Sequence, residues 1–214
     1  MYMKKSLLLA FVVYIFQGAL YGQQKAVTET GDEVILYADG RWKYVAKDTL
    51  TASEIATNPV KFEKSPASTF LVKSTRINVG VYLDPKKWTF QKAEGHEAAE
   101  FEINNEDLGL FGLVITENLN LPVETLANIA IENARTAAPD VVINHKEYRK
   151  VNGADVLMMR MTGTIQDILF SYYGYYYATP VGAVQFLVYS SKENVDKHTQ
   201  EIEALLNGLV EVKS

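Results

Sequence analysis

The sequence predicts an α+β protein. Its main body is an antiparallel sheet covered by helices on both faces, an α/β/α sandwich, and a small β-meander precedes it. Three observations carry that expectation. Strand-length runs recur through the later part of the 214-residue chain, separated by turn dipeptides such as Asn152-Gly153. Only two stretches there have a helical period. The segment at 170–177, with five tyrosines among eight residues, belongs to a group of strands that are largely apolar on both faces. A half-exposed antiparallel sheet would alternate apolar with polar instead.

The first 22 residues, MYMKKSLLLAFVVYIFQGALYG, have the layout of a secretory signal peptide. Lys4 and Lys5 form a positive start, an apolar run follows from Leu7 to Phe16, and Gly22 offers a small residue for cleavage. A spanning helix needs about 20 apolar residues, so the run is too short for an anchor. Cleavage after Gly22 removes 22 of 214 residues and leaves 192. No second long apolar run follows, so the mature chain is expected to have no membrane span and a periplasmic or secreted location. Loss of the two leader lysines takes the net charge from −5 to −7, which argues against nucleic acid as a partner. The chain has no cysteine. Disulfides, thiolate metal sites, a cysteine nucleophile and a lipid-modified N-terminal cysteine are excluded with it.

Residues 23–46 read as the meander. Gly31-Asp32 and Asp39-Gly40 are turn dipeptides, and a two-residue Asp-Gly loop sets Tyr37 opposite Trp42 and Ile35 opposite Tyr44. Those four then share an apolar face with Arg41 alongside, on a unit too small to be stable alone. An aromatic face beside an arginine has the composition of a protein-contact hot spot. Tyr37, Arg41, Trp42 and Tyr44 are therefore the candidate binding residues. Residues 47–68, rich in Thr, Ser, Ala and Lys with Pro59 and Pro66, read as a linker with a short helix near 53–57.

The sandwich domain is expected over 69–214. Strands are placed at 69–74, 78–83, 88–91, 98–104 and 108–117. A helix follows at 122–137, opened by Pro122 and Glu124, with Leu126, Ala127 and Ala130 on its apolar face. Strands come next at 141–151, 154–165, 168–178 and 183–190. The charged stretch NHKEYRK at 144–150 reads as an edge strand. A closing helix spans 191–207, capped by Ser190 with Glu193. Its stripe is Val195, Ile202, Leu205, Leu206 and Leu209, and Gly208 suits its end.

Two-residue turns at Gln166-Asp167 and Pro180-Val181 fix which tyrosines share a face. Tyr173, Tyr175 and Tyr177 fall with Val184, Phe186, Val188 and Met158. Tyr172, Tyr176 and Tyr189 fall with Gln185, Leu187, Leu157, Met159 and Met161. Both sets are apolar enough to be core, so the tyrosines are read as structural first and as a ligand platform second.

The order of elements, together with VYLDPKKWTF (Pro85 and Trp88), the helix at 122–137, KVNGADVLMMRMTGT and the closing ALLNGLV, resembles the PsbP-like fold shared with the Mog-type Ran-binding proteins. The resemblance covers about 69–210. It implies an antiparallel sheet between helices and a binding or assembly role rather than catalysis. The hairpin ADGRWKYV is similar to one in exported proteins of Bacteroidota, which implies a periplasmic setting.

No catalytic signature is present: no G-x-S-x-G elbow, P-loop, H-E-x-x-H or EF-hand loop. His145 and His198 read as solvated and packed, respectively. His96, in EGHEAAE with Glu94, Glu97 and Glu100, reads as a hairpin tip. No cofactor, metal or catalytic residue is expected. The leading expectation is a non-catalytic exported protein that binds a protein partner or supports an envelope assembly. The alternative is a small-molecule or carbohydrate-binding module, or a hydrolase, using the tyrosine-rich sheet as its cleft.

Overall fold

The computed structural model describes residues 23–27, 33–37, 42–44, 55–94 and 98–212. They fall into two compact units, Met1–Thr49 and Leu50–Ser214. The first holds β1 (Gln23–Val27), β2 (Glu33–Tyr37) and β3 (Trp42–Tyr44) in a three-stranded antiparallel sheet. The expected leader at 1–22 lies outside the described residues.

The second unit is mostly sheet. Its strands are β4 (Thr57–Phe62), β5 (Phe70–Lys73), β6 (Val79–Leu83), β7 (Thr89–Lys92), β8 (Ala99–Asn105) and β9 (Leu110–Glu117), then β10 (Val142–Val151), β11 (Ala154–Ile165), β12 (Ile168–Thr179), β13 (Gly182–Ser191) and β14 (Leu209–Glu211). The helices are α1 (Val123–Ala137), α2 (Lys192–Lys197) and α3 (Thr199–Leu206). Eight strands form the main sheet in the order β4-β10-β11-β12-β13-β9-β8-β7, and β14-β6-β5 form a smaller one.

The central register follows from the turns. Gln166 and Asp167 close the β11–β12 hairpin with Ile165 opposite Ile168. Thr179 stands opposite Gly182 at the next turn, so Tyr173, Tyr175 and Tyr177 meet Val188, Phe186 and Val184. These residues form one buried cluster with Val72, Val79, Val81 and Leu83 of the small sheet and with Val195, Ile202, Leu205 and Leu209. On the opposite face α1 packs on β11, β12 and β13, burying Leu126, Ala127, Ala130 and Ile131.

The expected sandwich, with helices as the cover on both faces, is therefore corrected. A three-stranded sheet forms much of the second cover, with the short closing helices beside it. Strands β5 and β6 have apolar inner faces, and those faces dock on the main sheet.

Four further expectations are corrected. The linker at 47–68 contains β4, which joins β10 in parallel. Tyr148 N donates to Ala56 O and Asn152 N to Phe62 O, each at 2.9 Å. Pro59 fits there because β4 is an edge whose outer groups face solvent. From Tyr148 to Val151, β10 pairs with β11 on one side and β4 on the other, so that part of the charged stretch is not an edge. The closing helix breaks at His198 (φ −111°, ψ 24°) into α2 and α3. Ser191, not Ser190, caps α2, accepting from Asn194 N, while Ser190 donates to Gly109 O at 2.8 Å. Gly208 ends the helical part for want of room: a Cβ there would lie 1.9 Å from Tyr82 O.

The β11–β12 turn also yields a prediction. Gln166 and Asp167 have φ of 49° and 62°, the left-handed region that Asn and Gly occupy at least cost in such turns. Replacing the pair with Asn-Gly is expected to add about 1 kcal/mol of stability, read as a higher Tm by calorimetry. A lower Tm would mean that the native side chains hold contacts of their own.

Candidate functional site

The candidate binding residues lie in the first unit, and its register differs from the expected one. Leu36 stands opposite Trp42, Ile35 opposite Lys43 and Val34 opposite Tyr44. Directly opposed residues share a face, so Trp42 lies with Leu36 and Val34, whereas Ile35 lies on the other face; the side chains of Tyr37 and Tyr44 lie outside the described residues. The expected quartet is split between faces because the loop closes on Leu36 rather than Tyr37, a one-residue slip. Arg41 lies outside the described residues. Trp42 is 54% exposed and Leu36 36%. Val34 and Ile35 are buried. One cross-strand apolar pair, Leu36 with Trp42, is thus presented at the surface of the unit.

In the second unit the tyrosine strand is interior. Tyr173, Tyr175, Tyr176 and Tyr177 are all buried. Arg149, on β10, organises the hydroxyls of one face, although the sequence reading assigned it no role. It is buried and sits 2.5 Å from Glu147 through Nε and 3.2 Å from Glu203 through Nη1. Nη1 also donates to Tyr175 Oη at 3.0 Å, and the guanidinium lies 4.4 Å from the Phe62 ring centroid. Tyr173 donates to Glu203, and Tyr175 donates to Asn207 Oδ1 at 2.7 Å. Burial pushes the Glu147 carboxyl up, but hydrogen bonds from Arg149 and Asn58 outweigh it and hold the group below its ordinary value. Every strong polar group of this cluster is matched, which describes a structural clamp between β10, β12 and α3. The only sequence signal for it was that neither face of 144–150 is apolar.

Glu100 is a buried carboxylate. It accepts from Ser74 Oγ and Thr116 Oγ1, each at 2.6 Å, and from Thr75 N at 2.6 Å and Thr75 Oγ1 at 2.8 Å. Burial pushes its carboxyl up, and these bonds bring it below the usual range. Glu100 thus ties β8 to the turn after β5; the expected hairpin tip at His96 lies outside the described residues. His145 is exposed, 3.3 Å from Glu147. Among the described residues, no group of three or more His, Asp or Glu side chains is placed to hold a metal ion.

Among the described residues, small cavities border the core. One, of about 40 Å³, is lined by Ser68, Asp84, Lys87, Trp88, Glu201 and Leu205 among others. Another, of about 10 Å³, lies between the two sheets beside Val72, Phe101 and Val184. A drug-sized ligand needs roughly 300–1,000 Å³, so these are spaces for water. Trp88 is buried and donates to Glu201 at 3.4 Å, and Glu201 also accepts from Lys87 at 2.7 Å. No described helix is long and apolar enough to cross a membrane.

No known family profile matches the chain, and no curated protein is similar to it. Solved structures are. Cyanobacterial PsbP (CyanoP) from Synechocystis aligns with a TM-score of 0.54 at 9% identity, over 69% of this chain and 94% of that one. A Bacteroides thetaiotaomicron protein aligns at 0.46 and 12% identity, over 69% of this chain and 50% of that one. A Pseudomonas aeruginosa protein of unknown function aligns at 0.45 and 8%, over 68% and 98%. The likeness to CyanoP shows a PsbP-like fold.

Proposed function

We propose that this chain is a non-catalytic exported protein whose N-terminal meander binds a protein partner, with the sheet-rich unit as a stable carrier. The observation that supports this most is the exposed Leu36–Trp42 pair. A large, rigid aromatic held half in water beside an aliphatic neighbour offers much apolar area at little entropic cost on binding. The leader-like start and the net charge of −5 support a periplasmic or secreted setting. The proposed contact centres on Leu36 and Trp42. The cleft alternative draws no support from the geometry, because Tyr172, Tyr176 and Tyr189 are 8%, 1% and 5% exposed.

Trp42→Ala in the full chain is expected to abolish recovery of the partner from crosslinked envelopes while the Tm of the main transition stays unchanged. A Tm lowered by several degrees with recovery intact would make the meander structural and end the proposal.

A further inference from the structure

The sequence holds the dipeptide Asn-Gly at 152–153 and again at 207–208, and the fold brings the two together. Asn152 Nδ2 donates to Asn207 O at 2.7 Å and to Leu209 O at 2.8 Å. Its Oδ1 accepts from Lys64 N at 3.0 Å, and its backbone N donates to Phe62 O at 2.9 Å. The amide donors face carbonyls and the amide acceptor faces an N–H, so the partners fix its orientation. Asn207 follows the last residue of α3, where helix carbonyls lack partners of their own. Asn152 supplies that partner from another element. One side chain thus ties the β10–β11 turn to the end of α3, to β14 and to the segment after β4.

Asn-Gly is also a reactive pair, because glycine has no Cβ to hinder its backbone nitrogen. Attack of the glycine N on the asparagine Cγ forms a C–N bond and expels the amide as ammonia, which carries off the N–H proton. The product is a five-membered succinimide. Water then opens one of the two C–N bonds of that ring and leaves aspartate or isoaspartate.

The fold treats the two pairs differently. Gly208 is buried, its N donates to Leu205 O at 2.8 Å, and Asn207 Oδ1 accepts from Tyr175 at 2.7 Å. Gly153 is exposed, nothing lies within 4 Å of its Cβ position, and its N makes no backbone hydrogen bond among the described residues. At 152 the nucleophile is open to water, and the three bonds of the Asn152 amide hold Cγ away from it. Neither product can remake those bonds. A carboxylate has no N–H for Asn207 O and Leu209 O and meets both with negative charge. Isoaspartate adds a carbon to the main chain of a two-residue turn.

We propose that Asn152 is a deamidation site, at which water releases the closing segment, the end of α3 with β14, from the β10–β11 turn in one irreversible step. The site lies apart from the proposed partner contact and does not depend on it.

The test ages the full chain in mildly alkaline buffer, folded and in urea, and follows the tryptic peptides 151–160 and 198–213 by mass spectrometry. In urea both should gain an acid at similar rates, since each asparagine precedes a glycine. In the folded chain 151–160 should convert about tenfold more slowly than in urea, because the amide must first open, and 198–213 should trail it. The deamidated chain, isolated by anion exchange, should have its folding equilibrium constant lowered about tenfold, as should Asn152→Asp. If Asn152→Asp does not fold, Asn152→Gly keeps the positive φ of 47° without the amide and should show the same loss. The proposal is overturned if 151–160 converts equally fast folded and unfolded, or if 198–213 converts first in the folded chain. A deamidated chain or Asn152→Gly variant as stable as the wild type also overturns it.

Discussion

Arg149→Met is expected to cost about 3–5 kcal/mol of folding stability, because it removes one partner from a buried ion cluster. Arg149 is 7% exposed. Without it, Glu147 loses the partner at 2.5 Å, Glu203 the one at 3.2 Å, and Tyr175 a donor at 3.0 Å. Two carboxylates are then left partly desolvated and unmatched, and the link from β10 to α3 is gone. The loss should depend on pH. The folded-state pKa of Glu147 is depressed, so its contribution is present above the ordinary glutamate value of 4.5 and disappears as pH falls through the folded value. The gap between wild type and variant should therefore narrow in acid. Urea denaturation at pH 7 and pH 4 measures both points. A gap that is small at pH 7, or that widens in acid, would mean that the cluster contributes little.

Leu205→Ala is expected to cost about 2–5 kcal/mol. Leu205 is 1% exposed and belongs to the same cluster as Tyr173, Tyr175, Phe186 and Leu209. It sits on α3, one residue before the helix ends at Leu206, and just ahead of the close approach of Gly208 to Tyr82. The truncation leaves a cavity that this constrained segment cannot close by shifting inward. The same denaturation experiment reads the loss. A change within experimental error would remove α3 from the core.

The strands and turns of the main sheet were legible because their signals are local. Asn152-Gly153 takes positive φ at both residues, and a two-residue turn at Gln166-Asp167 sets the faces of every tyrosine after it. Leu126, Ala130, Phe186, Val188, Ile202 and Leu205, expected as core, are buried. Two features were not legible, each for a physical reason. Strand β4 has no period because it is an exposed edge, held by backbone bonds rather than by a buried face. The layer that covers the sheet is set by where β5, β6 and β14 dock, a long-range choice with no local mark in sequence.

The meander register failed differently. Asp39-Gly40 is a strong turn dipeptide, but the strands pair through Leu36 and Trp42, and a slip of one residue moves each side chain to the other face. For the candidate site, the residue types were legible and their grouping was not. Trp42 stays, Ile35 leaves its face, and Leu36 enters.

Partner binding through the meander is tested most directly by crosslinking at defined positions in the native envelope. A photo-reactive residue would be placed at Leu36, and in separate chains at Val142 and Leu169, which are exposed apolar positions of the main unit at 56% and 45%. One discrete adduct is expected from position 36 that disappears with Trp42→Ala, and no such adduct from 142 or 169. An adduct of that mass from 142 or 169, or one from 36 that survives Trp42→Ala, would contradict it.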